Sequence, residues 1–333
     1  MDNGALTLHV AAERYPLKQP FHITGQTMVQ AEVVVVCLER AGHRGRGEAS
    51  GVYYRPGDDV SGIVKQIEAV RARIEAGITR ESLQHLQPIG GARNAIDCAL
   101  WELEAKETGR PAWQIAGFDS LHPLITTFTV GADKPGKMVA DARAYTHAKA
   151  IKLKLTGEPV DAERVRAVRA ACPDVWLGVD ANQGFTRASL TKLMPVLVES
   201  RVELIEQPFK VGQESELEGL HAPIPIAADE SAQGRADLPA LVGRFDVVSV
   251  KLDKCGGLTE GIAMAREARQ RGLRVMVGNM VGTSLAMAPA FLIGQLCDIV
   301  DLDGPVFLSR DRSPSVQYEN GTVRCPDAVW GAP

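Results

Sequence analysis

The chain has 333 residues, of which 45% are hydrophobic and 23% are charged, and its formal net charge is −4. This composition is that of an ordinary globular protein, and the length accommodates a barrel with a smaller second domain. The weak negative charge gives no reason to expect a nucleic-acid or membrane partner. The N-terminus lacks a signal-peptide pattern, and the six scattered cysteines favour reduced thiols, so we expect a cytoplasmic protein.

The first third of the chain is predicted to form an α+β unit. The β-branched segments LTLHV and AEVVVVCLER predict strands on either side of a polar loop, residues 15–30. The glycine-rich residues 42–58 predict a turn region and a lid over a substrate. From Val60 to Gly109 the apolar residues follow a helical period.

From Leu121 onward, short apolar runs alternate with amphipathic helical stretches. Eight such runs separated by helices predict a parallel β/α barrel rather than a sandwich. The predicted strands are ITTFTV, AIKLKL, VWLGVD, VELIE, PIPIAA, VVSVK, RVMVG and DIVDLD. The tail from about Gly304 is irregular, and we expect it to return to the N-terminal unit.

Five charged residues recur at the ends of apolar runs, at intervals of 22 to 26 residues, the length of one strand–helix unit. They are Lys154, Asp180, Glu206, Asp229 and Lys251. Because the carboxyl ends of barrel strands open onto one face, these side chains are expected to meet there. The three acids end neighbouring strands, and an all-oxygen set favours Mg²⁺, with Mn²⁺ as an alternative, over zinc. Ordinary surface acids would not be expected at three matched strand ends.

The lysines predict proton transfer. Lys152 and Lys154 lie two residues apart on one strand, so their side chains share a face, either inside the barrel or on a solvated edge. Like charges and a nearby dication lower the pKa of a lysine, which suits a general base. Lys251 ends the sixth strand, opposite the second, and two bases facing each other suit a 1,1-proton transfer. Lys254 competes with Lys251, but Lys251 directly ends the apolar run.

These motifs resemble the muconate-lactonizing subgroup of the enolase superfamily. The matching segments are KxK, VDANQGF, IEQP, ADES, VKLxKxGG and GRGEA, and the similarity covers essentially the whole chain. The resemblance implies a modified TIM barrel, (β/α)7β, over residues 121–304, and an α+β capping domain over 1–120 with the tail 305–333. It also implies a homo-oligomer.

The same resemblance implies a role for each of the charged residues. Asp180, Glu206 and Asp229 would be the Mg²⁺ ligands. Lys154 and Lys251 would be the acid–base pair. Lys152 would contact the substrate oxygen that the metal binds and lower the pKa of Lys154.

The eighth apolar run ends in two acids that share a face, Asp301 and Asp303. They are either solvated acids of a turn or a pair that holds a free α-ammonium group. The ending DLDGP resembles that of the dipeptide epimerases, which implies that this pair binds the substrate's N-terminus and that Thr129 contacts the substrate. We therefore predict an epimerase that inverts the C-terminal residue of a dipeptide through an enolate.

The identity of the dipeptide's second residue is predicted from what the chain lacks. Relatives acting on Ala-Glu carry an arginine just after a Pro-Phe pair, but residues 20–26 contain none. A neutral or apolar second residue is therefore expected, unless Arg44, Arg46 or Arg55 supplies the cation.

Alternative functions remain. An o-succinylbenzoate synthase or N-acylamino-acid racemase would use the same lysines and metal without needing the acid pair. A muconate cycloisomerase would bind a diacid, which Asp301 and Asp303 would repel. A catalytically silent barrel is disfavoured by the intact set of five residues, and the lack of histidine after His221 disfavours a mandelate-racemase-like base.

Overall fold

The N-terminal unit is a three-stranded antiparallel sheet covered on one face by helices, in a computed structural model that describes residues 5–23 and 26–333. The strands are β1 (Thr7–Ile23), β2 (Gln26–Arg40) and β3 (His43–Ser50). The helices are α1 (Val60–Ala69), α2 (Arg71–Glu75), α3 (Arg80–Leu86), α4 (Gly91–Thr108) and α5 (Ala112–Ile115). Alternate apolar residues of β2 and the inner faces of α1 and α4 form the core of this unit.

Two expectations for this unit are wrong. The polar segment 15–30 lies mostly in β1 and β2, which pair from Thr7↔Glu39 to Ile23↔Gln26 with an irregularity between Pro16 and Phe21. Two prolines and many polar residues hid this hairpin, because strand propensity depends on the surface that a strand faces. Residues 43–50 of the predicted lid form β3, which pairs with β2 along its length.

Two glycines of the GRGEA segment allow β3 to pack directly on α4. A Cβ on Gly47 would lie 2.0 Å from the carbonyl oxygen of Ala95, and a Cβ on Gly45 would lie 2.1 Å from that of Ala99. No side chain fits at these distances, so the backbones of strand and helix are in contact. This close approach fixes the position of β3, whose last residues lead to the cavity described below.

The second unit is a barrel of eight parallel strands, and all eight predicted strands are confirmed. A short strand outside the barrel, β4 (Leu124–Ile125), precedes it. In chain order the barrel elements are β5 (Thr127–Val130), α6 (Pro135–Ala144), β6 (Ala150–Lys154), α7 (Asp161–Ala171), β7 (Trp176–Asp180), α8 (Arg187–Glu199), β8 (Leu204–Glu206), β9 (Ile226–Ala228), α9 (Leu238–Leu241), β10 (Val247–Val250), α10 (Leu252–Cys255), α11 (Leu258–Gln270), β11 (Arg274–Val277), α12 (Ser284–Gly294) and β12 (Ile299–Val300). The helices pack outside the strands, as the (β/α)7β prediction requires.

The barrel interior is filled below its open end. The outward-facing residues Ile151 and Leu153 of β6 belong to the large core between strands and helices. A separate apolar layer closes the interior, formed by Leu204, Ala227, Val247, Met276 and Ile299. The buried charged side chains Lys154, Asp180 and Glu206 lie at the carboxyl ends of their strands, away from this layer.

The first and last barrel strands are joined by side chains. In the described part of the chain, the sheet order ends at β5 and β12, with no backbone ladder between them. Instead, Leu302 N donates to Thr126 Oγ1 over 2.9 Å, Thr129 N donates to Asp303 Oδ2 over 2.6 Å, and the Thr127 hydroxyl donates to Asp301. We call this junction the seam.

The C-terminal tail contacts both units. Its hairpin, β13 (Gln317–Glu319) and β14 (Thr322–Arg324), pairs with β4. Further on, Val329 O accepts a hydrogen bond from Arg46, and Gly331 O accepts one from Ala112 N. The boundaries at residues 120 and 304 stay predictions.

Two global properties of the chain also follow from the structure. All six cysteines are free thiols. Among the described helices, none combines the length and the apolar character that a membrane span requires.

Candidate active site

The predicted charged residues come together at one end of the barrel. Lys154, Asp180 and Glu206 end β6, β7 and β8, and lie side by side in register. Asp229 and Lys251 follow β9 and β10 by one residue. All five side chains are buried, as is Lys152. The roles predicted for them are not tested by this placement.

Each lysine contacts a carboxylate. Lys154 Nζ donates to Asp180 Oδ2 over 2.5 Å, and Lys251 Nζ donates to Asp229 Oδ2 over 2.6 Å. Lys152 Nζ lies 2.8 Å from Glu206 Oε2, and it also donates to Asp301. Lys154 and Lys251 come from opposite walls of the barrel. Each is thus held at the edge of the cluster of three acids, one by Asp180 and the other by Asp229.

Two of the lysines, Lys152 and Lys251, have raised pKa values rather than the lowered values expected of a lysine near like charges. Burial lowers the pKa of Lys251, but Asp229 and Glu206 outweigh burial and raise it well above its ordinary value. The pKa of Lys152 is likewise raised, because Asp301 and Glu206 oppose the effect of burial. Carboxylates surround these amines more closely than other cations do.

The three carboxylates match a divalent cation in their donor chemistry. Glu206 Oε1 is buried and has no hydrogen-bond partner among the described residues. Burial and the charge of Asp180 raise the pKa of Glu206 to about 7, so this site favours added positive charge. Within residues 5–23 and 26–333 no three acids, histidines or cysteines form a ready ligand set. In the same structure, ammonium groups occupy oxygens of all three acids.

Two residues hold Asp229 in place. Lys254, which is completely buried, donates to Asp229 Oδ1 over 2.6 Å and also to the carbonyl oxygens of Asp229 and Ser249. The side chain of Gln207, from the IEQP segment, accepts hydrogen bonds from Asp229 N and Ser231 N. Lys251 lines the cavity between the barrel mouth and the N-terminal unit, which is described below, whereas Lys254 does not.

Sequence reasoning missed the pair Asn182 and Glu230. Asn182 Nδ2 lies 3.5 Å from Glu230 Oε1, while Asn182 Oδ1 and Glu230 Oε2 are buried without partners in the described chain. Burial and neighbouring Asp229 raise the pKa of Glu230 to about 8. The positions two after Asp180 and one after Asp229, in VDANQGF and ADES, are the sequence signal that could have found them.

The acids predicted to hold an ammonium group lie in the seam. Asp301 and Asp303 are buried, and neither lines the cavity that contains Lys154 and Lys251. Lys152 lowers the pKa of Asp301 against the effect of burial, whereas burial and Asp301 raise the pKa of Asp303 to about 7. Thr129 lines a separate cavity of about 250 Å³ beside Phe21 and Tyr145. The structure therefore does not bring these three residues to the wall of the main cavity.

The main cavity lies between the barrel mouth and the N-terminal unit and has a volume of about 260 Å³. Lys154, Asn182, Asp229 and Lys251 line it from the barrel. The N-terminal unit contributes Phe21, Met28, Gln30, Ala31, Glu32, Ser50, Gly51, Tyr53, Tyr54, Asp59 and Val60. The part of the predicted lid that is not in β3, residues 51–58, thus supplies two tyrosines to this wall.

None of the three candidate arginines lines this cavity in the described chain. Arg44 donates to Cys37 Sγ, and Arg46 forms a bidentate pair with Glu102. Arg55 is paired with Asp58 at 3.0 Å. They are oriented by β3 and its following loop towards partners within the fold, so their placement does not support the alternative that one of them binds a glutamate side chain, which stays a prediction.

A capped β/α barrel with buried lysines and carboxylates at its mouth defines a class of enzymes that bind their substrates between cap and barrel. Matches to family models identify the family. A model described as "Mandelate racemase / muconate lactonizing enzyme, N-terminal domain" matches residues 5–117, and one described as "Enolase C-terminal domain-like" matches residues 137–329. The chain belongs to the enolase superfamily and is an enzyme, and the predicted resemblance is confirmed.

Individual relatives share most of the chain. It is 39% identical to an L-Ala-D/L-Glu epimerase of Escherichia coli over 95% of this chain and 99% of that one. It is 37% identical to an N-acetyl-D-glutamate racemase of Pseudoalteromonas, covering 84% and 89%. An Agrobacterium tumefaciens structure with homology to dipeptide epimerases, holding sodium and L-Ala-L-Glu, matches with a TM-score of 0.95 and 38% identity, covering 98% and 100%.

A structure that contains magnesium is also similar. The dipeptide epimerase of Enterococcus faecalis, complexed with Mg and L-Leu-L-Tyr, matches with a TM-score of 0.90 and 27% identity, covering 98% of each chain.

Proposed function

We propose that this protein is a dipeptide epimerase that inverts the α-carbon of the C-terminal residue. The observation that carries the proposal is the presence of Lys154 and Lys251 in one cavity, on the second and sixth of eight barrel strands. These strands are opposite each other, so a carbon between the two amines is accessible from both faces. The names of three similar proteins, which refer to dipeptide epimerases, support this choice of substrate.

The two lysines would exchange roles with the direction of reaction. One amine removes the α-proton as a general base, and the ammonium group of the other donates a proton to the opposite face of the resulting enolate. Lys152, between Glu206 and Asp301, supplies a fixed positive charge beside the site where the substrate carboxylate gains negative charge. Each step moves one proton and leaves the substrate's atoms otherwise unchanged.

Asp180, Glu206 and Asp229 would hold a divalent cation. Their oxygen chemistry suits Mg²⁺, with Mn²⁺ as an alternative, and the buried Glu206 Oε1, which has no hydrogen-bond partner in the described chain, supports this role. When bound, the cation neutralises negative charge on the substrate carboxylate and makes the α-proton more acidic. Lys254 and Gln207 keep Asp229 oriented for this role.

Asp301 and Asp303 are proposed to hold the ammonium group of the dipeptide. Both lie on the last barrel strand's extension, across the mouth from Glu206 on the fourth strand. A racemase of N-acylamino acids is the second candidate. It is favoured by the position of both acids outside the main cavity and by the similarity to the N-acetyl-D-glutamate racemase.

Hydrogen exchange in deuterated buffer tests the proposal. The purified protein with MgCl₂ is incubated with L-Ala-L-Met, L-Ala-L-Gln, N-acetyl-L-Met and N-acetyl-L-Gln, followed by mass spectrometry and chiral chromatography. We expect α-deuterium and the inverted isomer with free dipeptides, loss of both with EDTA, and recovery on adding Mg²⁺. Reaction with the N-acetyl compounds alone would establish the second candidate, and no exchange with any substrate would contradict both.

Asp303→Asn tests the ammonium role more cleanly than a change at Asp301, which is paired with Lys152. We expect a higher KM for free dipeptides and little change for N-acetylated analogues. Equal effects on both substrate types would show that Asp303 acts only in the seam.

A further inference from the structure

The part of the cavity that receives the substrate side chain follows from the geometry of the proposed reaction, on which this inference rests. The α-carbon lies between Lys154 and Lys251, and its hydrogen points to one of the two amines. Its other three substituents therefore lie roughly in a plane across the axis that joins the two lysines. The carboxylate points to the acids of β7–β9, and the amide nitrogen points to the seam. The apolar layer that contains Leu204 and Met276 fills the barrel below. The side chain must therefore point outward, towards the N-terminal unit.

This outer wall is apolar near the barrel. Phe21 packs on Phe307 with ring centroids 4.6 Å apart, which places it over the barrel mouth. Met28 is half-buried in the same wall, and Tyr53 and Val281 complete it. Since Met28 lies on β2 with Gln30 and Glu32 at alternating positions, all three face the cavity in sequence from the mouth outward.

The charged residues that line this wall are acidic. They are Glu32 and Asp59, and Glu32 is exposed and paired with Arg14 at 2.9 Å, while the cations that line the cavity in the described chain are Lys154 and Lys251. Each of these lysines is already paired with an acid of the site. Residues 23–26, whose side chains lie outside the described set, are Ile, Thr, Gly and Gln, so they add no cation.

We infer that the epimerised residue has a long uncharged side chain, and that the enzyme discriminates against glutamate through Met28 and through Glu32, which engages the nearby Arg14. A glutamate carboxylate would lie beside Met28 with no cation among the lining residues of this wall, and the guanidinium of Arg14 is already paired with Glu32. Glutamine has the same shape without the charge, and methionine adds apolar contact. This specificity differs from the substrate in the name of the Escherichia coli relative.

The comparison of L-Ala-L-Gln with L-Ala-L-Glu isolates the charge. We expect kcat/KM for the glutamine dipeptide to exceed that for the glutamate dipeptide by about tenfold or more. Met28→Arg should raise kcat/KM for L-Ala-L-Glu by about tenfold and lower it for L-Ala-L-Met, and Glu32→Gln should reduce the Gln/Glu ratio several-fold.

Glu39→Gln is the matched control, because it removes a carboxylate from the same strand outside the cavity. It should leave the Gln/Glu ratio unchanged. A wild-type enzyme that turns over L-Ala-L-Glu as fast as L-Ala-L-Gln overturns the inference, as does a Glu32→Gln ratio equal to that of wild type. Either result leaves dipeptide epimerisation intact, whereas failure of every dipeptide would contradict the proposed function itself.

Discussion

The two opposed lysines should fail in complementary ways when each is replaced. Lys154→Ala and Lys251→Ala should each reduce epimerisation by at least about 10²-fold, because each removes one of two proton-transfer groups. The remaining lysine still faces one side of the α-carbon. Each variant should therefore still exchange the α-hydrogen of one stereoisomer with solvent. The isomer that exchanges in the Lys154→Ala variant should be the one that does not exchange in the Lys251→Ala variant.

Nuclear magnetic resonance in deuterated buffer, starting separately from the L,L and L,D isomers, distinguishes these outcomes. Lys192→Ala, on the exposed side of α8, is the control and should match wild type in both directions. If both active-site variants lose exchange with the same isomer, the two-base arrangement is wrong.

At the scale of residues, the sequence predicted where a side chain lies along its strand, but it did not predict which groups that side chain hydrogen-bonds. Lys154, Asp180 and Lys251 could be placed at the barrel mouth because each follows an apolar run by zero or one residue. The bonds of Gln207 to Asp229 depend on the path of two loops, which no periodic pattern encodes. The pairing of Asp301 with Lys152 was missed for the same reason, since the two are 149 residues apart.

At the scale of elements, the contact of β3 with α4 predicts a severe effect of a single methyl group. Gly47→Ala should lower the free energy of unfolding by about 3 kcal/mol, because its Cβ would overlap the backbone of Ala95 and neither element can move freely. Gly136→Ala in α6 is the control, since no atom lies within 4 Å of its Cβ. There, alanine's better helix propensity should stabilise the protein by about 0.5 kcal/mol. Urea unfolding followed by circular dichroism measures both, and equal effects would contradict the close packing.

Asp253 links β3 and α4 to α10 and makes this junction sensitive to pH. Its Oδ1 accepts hydrogen bonds from Ser50 N and Asn94 Nδ2, and burial raises its pKa from 3.8 to about 7. Between about pH 4 and pH 7, the folded protein therefore keeps a proton on Asp253 that the unfolded chain has released. In this window the contribution of Asp253 to the free energy of unfolding falls as pH rises, and above pH 7 it is constant.

Asp253→Asn keeps the accepting oxygen and removes the titration. Relative to wild type, the variant should gain stability between pH 4 and pH 7, by up to about 4 kcal/mol for a shift of this size. Thermal or urea unfolding at several pH values measures the difference. A difference that is independent of pH would show that the carboxyl group does not titrate in this range.

The elements themselves were predicted unevenly. The barrel strands are short, buried on both faces and separated by amphipathic helices, so their apolar runs identified them. The β1–β2 hairpin has one face towards the cavity and solvent, and polar residues such as Gln30 and Glu32 obscured it. The part of the site contributed by the β1–β2 hairpin was therefore not predicted, whereas the predicted loop 42–58 does supply Tyr53 and Tyr54 to the cavity.

At the scale of the whole molecule, a buried ion pair ties the tail to both units. Glu48 of β3 is completely buried, accepts from Thr283 N and Oγ1, and pairs with Arg312 at 2.9 Å. Arg312 also contacts Glu13 of β1 at 2.7 Å. Arg312→Ala should lower the free energy of unfolding by about 3 kcal/mol, because it leaves a buried carboxylate without its cation.

The double variant Glu48→Gln/Arg312→Ala provides the check. Removing the charge of Glu48 together with its partner should recover part of the loss, with a coupling of at least about 1 kcal/mol in a double-mutant cycle. Additive effects would mean that the tail is held by other contacts. The predicted homo-oligomer and cytoplasmic location are separate matters and stay predictions.

The seam has a consequence for how new specificities can arise in this scaffold. If the acids that grip the substrate's amino terminus also fasten the first strand to the last, exchanging them for another binding group would weaken the closure of the cylinder. Met28 and Glu32 of the β1–β2 hairpin do not combine substrate binding with barrel closure, because in the described chain they form no hydrogen bond to a barrel strand. Laboratory evolution towards other side chains should therefore accumulate substitutions in the hairpin, while the strand junction stays fixed.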